Sequence, residues 1–270
     1  MYAFIHIPKT AGSTLRHILR TSFGASHCDI KVPKRRRSHQ PWISEDDLKL
    51  ARFIYPRLTG IAGHRVTCSD DINQTANDIR FFTIMRNPVD RFISHFQHLH
   101  RGRMDHCAEK DLVTFCADEN MRNIQTRWIC QTDDADLAIK KLSRDVGFIG
   151  LQEHFDESLV MLQQWLDLPE FAISYHTRNR SYQEHNFPIK DNPELVQMIE
   201  QVNLSDIEVY NYARDILFER QKKDYGTGLE RDVKALRAAN ETFKEAREPL
   251  WSCAKRALLY KPFLHFPRAG

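Results

Sequence analysis

The chain of 270 residues is long enough to bury a substantial core, as one large domain or two small ones, and we expect one main domain. Charged residues make up 28% and hydrophobic residues 41%, with few glycines and prolines, which excludes a disordered or fibrous chain. A net charge of +3 is too small to indicate nucleic-acid binding, and no stretch reaches the ~20 apolar residues of a membrane-spanning helix. The six cysteines include no C-x-x-C pair, which excludes a zinc knuckle or thioredoxin-type motif.

The first predicted unit is a strand, a tight turn and a helix. Residues 3–7 are mostly apolar and end at Pro8, and residues 14–23 then place apolar side chains at helical spacing. Lys9 opens the turn, whose other residues are all small: Thr10, Ala11, Gly12, Ser13 and Thr14. Such a turn points unpaired N–H groups and the positive end of the helix dipole at an anion, with lysine and hydroxyl groups as further donors. The alternative is an ordinary strand-to-helix turn with a solvated lysine.

The next candidate is His64, which follows a largely apolar run at residues 58–62. We expect this run to end on the same rim of the sheet as the other strands, where ligands bind in open α/β sheets. Without further information, a single histidine before a loop is more often structural or solvated than catalytic.

The second predicted unit begins with a buried strand at residues 79–85, "IRFFTIM". Asn87 as N-cap, Pro88 at the first helical position and Asp90 at the third predict the start of a helix. The spacing of Phe92, Phe96 and Leu99 places these side chains on one face of that helix.

Arg86 ends this strand, at a place where magnesium-dependent phosphoryl transferases often have a metal-binding carboxylate. Arginine cannot bind magnesium, but its rigid fork suits a terminal phosphate. Ser94 supplies a second donor if the phosphate lies along the helix; the alternative is a surface Arg86 paired with Asp90. Together the two junctions predict two anion cradles without a metal carboxylate, which fits a nucleoside with phosphates at two positions better than ATP with its metal.

The later elements complete an α/β pattern. Residues 148–151 predict a third strand, residues 155–166 an amphipathic helix and residues 171–175 a further strand, with mostly helical sequence elsewhere. Strands that alternate with helices predict a central parallel sheet covered by helices on both faces. Residues 229–259 predict a long helix packed on the domain or on a second subunit. The alternative is a peripheral membrane or partner-binding helix, because "WSCAKRALLYKPFLHF" mixes aromatic residues with cations.

Two motifs resemble those of a known enzyme family. "IPKTAGST", residues 7–14, resembles the 5′-phosphosulfate loop of sulfotransferases that use 3′-phosphoadenylyl sulfate (PAPS), and "IMRNPVDRFISHF", residues 84–96, resembles their 3′-phosphate motif. "GHRV", residues 63–66, is similar to the segment with the catalytic histidine in the carbohydrate branch typified by heparan sulfate 2-O-sulfotransferase. Further similar stretches are "NIQTRWICQ" from Asn123 and "FIGLQEHFDESLVML" from Phe148. The resemblance implies a P-loop-like three-layer fold, with a sulfotransferase domain at residues 1–222 and a helical C-terminal extension at residues 223–270.

The resemblance also implies roles for individual residues. His64 is the base that removes the proton of an acceptor hydroxyl, and Lys9 contacts the oxygen between sulfate and 5′-phosphate and stabilises the leaving group. The PAPS phosphosulfate is wrapped by Thr10, Ala11, Gly12, Ser13 and Thr14. Arg86 and Ser94 bind the 3′-phosphate. A basic loop in "YHTRNRS", residues 175–181, closes over the nucleotide through Arg178 or Arg180. No metal is expected.

The expected acceptor is a saccharide or glycan hydroxyl. The basic run at residues 34–37 either binds an anionic glycan or is a solvated surface loop. Two other functions remain: a P-loop kinase or phosphotransferase, and a non-catalytic protein with the same fold. Since the first strand begins near Met1, we expect a cytoplasmic protein if the sequence is complete, and a Golgi lumenal one if it is a piece of a longer chain. The oligomeric state is left open.

Overall fold

The protein contains one five-stranded parallel sheet with the strand order β2-β3-β1-β4-β5. The structure is a computed structural model that describes residues 1–33, 36–68, 79–100, 109–176, 189–244 and 247–264. The strands are β1 (Tyr2–Ile5), β2 (His27–Asp29), β3 (Gly60–Gly63), β4 (Arg80–Met85) and β5 (Val146–Leu151). From β1 the chain first builds the sheet towards β2 and β3, and then continues on the other side of β1 with β4 and β5. The predicted α/β fold with a central parallel sheet is confirmed.

Helices cover both faces of this sheet. All four residues of β1 are buried, and successive strand residues point to opposite faces, so neither face is open to solvent. The helices are α1 (Gly12–Phe23), α2 (Glu45–Ile54), α3 (Pro88–Leu99), α4 (Glu109–Ala117), α5 (Ile124–Cys130), α6 (Ala135–Arg144), α7 (Phe155–Leu166), α8 (Pro193–Gln201), α9 (Leu204–Tyr212), α10 (Glu219–Tyr225), α11 (Leu229–Thr242), α12 (Leu250–Ala254) and α13 (Lys261–Phe263). A π-helical segment, Ala213–Phe218, joins α9 to α10, and a second one, Lys255–Tyr260, joins α12 to α13.

The start of α3 follows the sequence prediction. The side chain of Asn87 accepts hydrogen bonds from the N–H groups of Val89 and Asp90, at 3.1 and 3.2 Å, and Pro88 is the first helical residue. Phe92 and Phe96 are fully buried as expected. Leu99, predicted on the same face of the helix, is the last residue of α3, and its side chain is 54% exposed.

Two other expected elements differ from the structure. Residues 171–175 form no strand, because their backbone bonds to side chains: the Ala172 N–H donates to Ser22 Oγ at 3.1 Å and the Tyr175 N–H to Asn240 Oδ1 at 2.9 Å. Conversely, the short edge strand β2 was not predicted.

The predicted long C-terminal helix is interrupted between Thr242 and Leu250. Pro249 lies directly before α12, where its missing N–H and its ring prevent a continuous helix. Before the break, α11 packs on α7: Val233 and Leu236 are buried, and Arg237 Nε donates to Asp156 Oδ2 at 2.8 Å. The domain division at residue 222 stays a prediction.

Membrane contact was considered for the same segment. Of the helices that the structure describes, none has both the length and the apolar character needed to cross a bilayer. Peripheral contact by the C-terminal segment, and the location of the protein in the cell, stay predictions.

A buried ion pair fixes the orientation of α5. Asp206 on α9 accepts the N–H groups of Gln125 and Thr126, at 3.1 and 2.7 Å, and the Thr126 hydroxyl at 2.8 Å. It therefore caps the N-terminus of α5, whose own cap residue provides no side-chain bond. Arg91 Nε on α3 lies 4.0 Å from Asp206, and both side chains are fully buried. The pair thus joins α3, α5 and α9.

We expect Asp206→Ala to reduce the free energy of unfolding by ~3–5 kcal/mol, because it leaves the Arg91 charge buried without a partner. Urea denaturation followed by circular dichroism measures this change. The control is Asp215→Ala, which removes the partner of Arg214 in an exposed ion pair and should leave the unfolding midpoint unchanged. Equal midpoints for the two variants would contradict the assigned role of Asp206.

Candidate functional site: the carboxyl edge of three adjacent strands

The candidate site lies at the carboxyl edge of the sheet, at the point from which the chain adds β3 and β2 on one side of β1 and β4 and β5 on the other. β3, β1 and β4 are neighbours, and their carboxyl ends lead to His64, Lys9 and Arg86. Ligands of open α/β sheets bind at such a switch point. Two contacts bring the junctions together: Arg86 Nη1 donates to the Lys9 carbonyl at 3.2 Å, and His64 Nδ1 lies 2.9 Å from the His6 carbonyl.

The turn after β1 is shaped to hold an anion. Lys9 and Ala11 both adopt left-handed backbone conformations, with φ of 71° and 62°, and α1 begins at Gly12. Among the described residues, the N–H groups of Thr10, Ala11 and Gly12 have no hydrogen-bond acceptor. A concave run of N–H groups at a helix N-terminus favours a bound anion. Non-glycine residues in this backbone region are strained, and such strain concentrates at functional sites.

The hydroxyl groups of the turn have different surroundings. Thr10 is fully buried and its hydroxyl donates to the Ile7 carbonyl at 3.0 Å, so it is turned away from the mouth of the turn. Thr14 is also buried, whereas Ser13 is partly exposed. The hydroxyl of Thr10, which we expected to donate to a ligand, is therefore already engaged. Its backbone N–H group is the donor that a ligand can reach.

Gly12 is required by a neighbouring side chain. A Cβ atom at this position would lie 2.0 Å from Cδ2 and 2.1 Å from Nε2 of His6, far inside contact distance. His6 is 4% exposed, and its ring fills the space above the start of α1. Of the small residues in the turn, Gly12 is therefore one whose size is limited by the imidazole of His6.

The ring of His6 also packs against the ring of His64. The two rings are stacked, with centroids 3.9 Å apart and planes inclined by 29°. Because a carbonyl can only accept, the proton of His64 lies on Nδ1 and is donated to the His6 carbonyl. Nε2 of His64 therefore carries the lone pair. This arrangement sets the tautomer that a general base needs.

The electrostatic surroundings keep both histidines neutral. Burial lowers the pKa of His6 well below its usual value, protonation of the neighbouring His64 would lower it further, and so do the charges of Arg16 and Arg20. The His64 side chain is exposed, but the protein around its ring still lowers its pKa by partial desolvation. The hydrogen bond to His6 opposes this shift, and the cations Arg16, Arg65 and Lys31 add to it. A neutral His64 can accept a proton at neutral pH.

The backbone of Arg86 is held in place by two hydrogen bonds to one side chain. The side-chain amide of Gln125 accepts the Arg86 N–H at 3.0 Å and donates to the Arg86 carbonyl at 2.8 Å. Burial lowers the pKa of Arg86, yet in the described part of the chain it forms no ion pair, and Asp90 pairs with Lys190 instead. The alternative of an Arg86–Asp90 surface pair is therefore wrong. Gln125 lies in the similar stretch that begins at Asn123, but no role was predicted for it.

Two polar residues of α3 lie near this arginine in the sequence. Ser94 is buried, and no hydrogen bond between described residues joins it to Arg86. For His95, burial followed by the charges of Arg91 and Lys9 lowers the pKa to about 4, so this imidazole is neutral at physiological pH.

Other predicted residues lie outside the site or outside the described chain. Arg178 and Arg180 are not among the described residues, and neither are Lys34 and Arg35. Arg36 pairs with Asp47 at the start of α2, and Arg37 Nε donates to the Val32 carbonyl at 3.2 Å. The two described residues of the basic run, Arg36 and Arg37, therefore make contacts within the protein that stabilise the segment between β2 and α2.

The added methyl group of Gly12→Ala should displace the His6 ring, lowering the free energy of unfolding by ~1–3 kcal/mol through overpacking. Denaturant titration measures this. His6→Ala in the same chain opens the space again, so we expect the double variant to be more stable than the sum of the single effects. Gly228→Ala is the control, because its methyl group would meet only the flexible ends of Arg231 and Asp232 at 3.3 Å. Strict additivity of the two changes would refute the proposed contact.

Comparison with known proteins shows which family and which relatives the chain is similar to. A family model described as "Sulfotransferase family" matches residues 2–213. Heparan-sulfate 6-O-sulfotransferase 3-B of Danio rerio is 22% identical, in an alignment that covers 80% of this chain and 64% of that protein. Heparan-sulfate 6-O-sulfotransferase 2 of Homo sapiens is 21% identical over 82% of this chain and 45% of its own length. The chain therefore spans about half to two thirds of the length of these relatives.

Proposed function

Because the chain belongs to the sulfotransferase family, we propose that it transfers a sulfuryl group from PAPS to a hydroxyl group of a glycan. The predicted resemblance to the family is confirmed, since the matched residues 2–213 make up most of the chain. The finer assignment to the 2-O-sulfotransferase-like branch is not confirmed, because the relatives named above are 6-O-sulfotransferases. Their names support a glycan acceptor for this chain and do not fix the position of its hydroxyl.

The proposed donor site has two anion cradles. The turn from Lys9 to Thr14 receives the 5′-phosphosulfate through its backbone N–H groups and the helix dipole. Arg86 binds the 3′-phosphate with the guanidinium that its contact to the Lys9 carbonyl places beside this turn. Ser94, Arg178 and Arg180 complete the proposed set on the strength of the resemblance alone. Arginine at the position of Arg86 argues against a kinase, which would need a carboxylate for its metal.

The reaction is an in-line displacement at sulfur. The acceptor oxygen forms a new S–O bond as its proton passes to His64 Nε2, and the bond between sulfur and the bridging 5′-phosphate oxygen breaks. The electron pair of that bond stays on adenosine 3′,5′-bisphosphate, whose new charge is stabilised by Lys9 and by the N–H groups of the turn. The observation that carries this proposal is the His64 Nδ1–His6 carbonyl contact at 2.9 Å, because it leaves Nε2 free to act as base.

The test uses labelled PAPS with a panel of glycans, and mass spectrometry of the products. We expect transfer to a glycan hydroxyl, and a fall in kcat of ~10²–10⁴-fold for His64→Ala, because the base is lost. Calorimetry without magnesium should show that the chain prefers adenosine 3′,5′-bisphosphate to ATP, with an affinity that His64→Ala leaves unchanged.

His39→Ala is the matched control, since this exposed histidine lies outside the site, and we expect normal turnover. Preference for ATP would indicate a phosphotransferase instead. Binding of the bisphosphate without transfer to any acceptor would favour the non-catalytic alternative.

The pH dependence of the reaction should reflect the pKa of His64. The base must be neutral to accept a proton, so kcat/KM for the donor rises with pH through this pKa and is level above it. Since desolvation and nearby cations lower the pKa, the midpoint of the acid limb should lie below the usual value of 6.5. Arg65→Gln removes one of these cations, and we expect it to move the midpoint to higher pH. A midpoint above 6.5 in the unmodified chain would contradict the role of His64.

A further inference from the structure

A cleft of about 250 Å³ opens beside β2, next to the candidate site. Three parts of the chain form its walls: α1, the segment after β2, and the C-terminal segment Lys255–Lys261. Its lining consists of Arg20, Asp29, Lys31, Arg256, Tyr260 and Lys261. We call it the basic cleft, because four of these six residues are cations.

Nearby carboxylates neutralise only two of the four cations of the cleft. Asp29 is engaged by Arg20, and the Arg16 Nε atom lies 4.0 Å from the same carboxylate. Glu248 holds Arg256 in a two-pronged ion pair. The ammonium groups of Lys31 and Lys261 form no ion pair with any described residue. The cleft therefore has a surplus of positive charge directed at solvent.

The neighbouring cations affect the pKa of Lys31. Partial burial lowers the pKa of the Lys31 ammonium, and the charges of Lys261, Arg16, Arg20 and Arg37 lower it further. Like charges that repel one another are stabilised when an anion lies among them.

The C-terminal wall is held firmly against the domain. The Tyr260 side chain is 2% exposed, and its hydroxyl accepts the Lys31 N–H at 2.8 Å. Its ring packs edge-on against Tyr55, and the Lys255 ammonium lies 4.8 Å from the centre of the Tyr55 ring. Tyr260 thereby fixes the backbone of Lys31 relative to the C-terminal segment.

The basic cleft also lies close to the proposed base. β2 ends at Asp29 and β3 at Gly63, and a Cβ atom on Gly63 would lie 2.5 Å from the Ile30 carbonyl oxygen. The residues directly before Lys31 and His64 are therefore in contact. Arg16 follows Gly12 by about one helical turn on α1, and the charges of both Arg16 and Lys31 lower the pKa of His64. An acceptor with its hydroxyl at His64 would therefore place a neighbouring group in the cleft.

We propose that the basic cleft binds a carboxylate or sulfate substituent of the acceptor glycan while a hydroxyl of that glycan faces His64. This inference rests on the proposed function. Lys261 and Arg256 would then be residues for acceptor recognition that lie outside residues 2–213, the part matched by the family model. The volume is slightly below the ~300–1,000 Å³ of pockets that enclose whole drug-sized ligands, which suits one charged sugar unit rather than a longer chain.

The experiment compares the unmodified chain with Lys31→Gln/Lys261→Gln, with adenosine 3′,5′-bisphosphate bound. The probes are heparan sulfate and the same polymer after desulfation and carboxyl reduction. We expect the double variant to bind heparan sulfate at least tenfold more weakly, to bind the neutral polymer as the unmodified chain does, and to keep its affinity for the bisphosphate. Lys261→Arg should retain binding, because the charge is conserved. Lys234→Gln on α11 is the control for the loss of an exposed lysine.

Each outcome decides the inference separately from the function. Equal heparan sulfate affinity in the double variant and in the Lys234→Gln control would overturn the cleft assignment, even if sulfuryl transfer is intact. Failure of the unmodified chain to bind heparan sulfate would also overturn it. Failure of the proposed function would appear as loss of bisphosphate binding and transfer in the unmodified chain. Thermal unfolding is the control for folding. If the double variant and the unmodified chain have the same melting curve, weaker binding is due to the lost charges and not to misfolding.

Discussion

The buried imidazole of His6 joins the three elements on which the candidate site depends. Its ring occupies the space that a side chain on Gly12, the first residue of α1, would need, and it stacks against the ring of His64. Its carbonyl accepts the proton of His64 Nδ1 and thereby sets the tautomer of the proposed base. Burial keeps the His6 ring neutral, which avoids a second positive charge beneath His64.

A second set of polar contacts positions Arg86, the other proposed anion cradle. Asp206 caps α5, and α5 brings Gln125 to the backbone of Arg86, which in turn contacts the Lys9 carbonyl. Each contact satisfies a polar group that would be costly to leave unpaired in the interior. The result is a chain of hydrogen bonds from α9 to the turn after β1. These contacts hold Arg86 and the turn after β1, the two proposed cradles, next to each other.

Positive charge is distributed unevenly around this site. Arg86 lies on one side of the turn, and on the other side the basic cleft gathers cations from α1, from the segment after β2 and from the C-terminal segment. The proposed sulfuryl transfer leaves negative charge on the departing bisphosphate, and positive charge beside the turn stabilises it.

The sequence by itself determined the α/β class, the two strand-to-helix junctions and the family, because local signals such as the Asn87-Pro88 helix start and the Lys9–Thr14 turn depend on few neighbours. Only the tertiary structure decided why Gly12 must be glycine, that Thr10 turns its hydroxyl inward, and that residues 171–175 bond to side chains rather than to a strand. The roles of Gln125, Asp206 and Tyr260 were likewise hidden. Each depends on a partner far away in the chain, such as Arg86, Arg91 or Lys31, and no local pattern records which distant residues will meet.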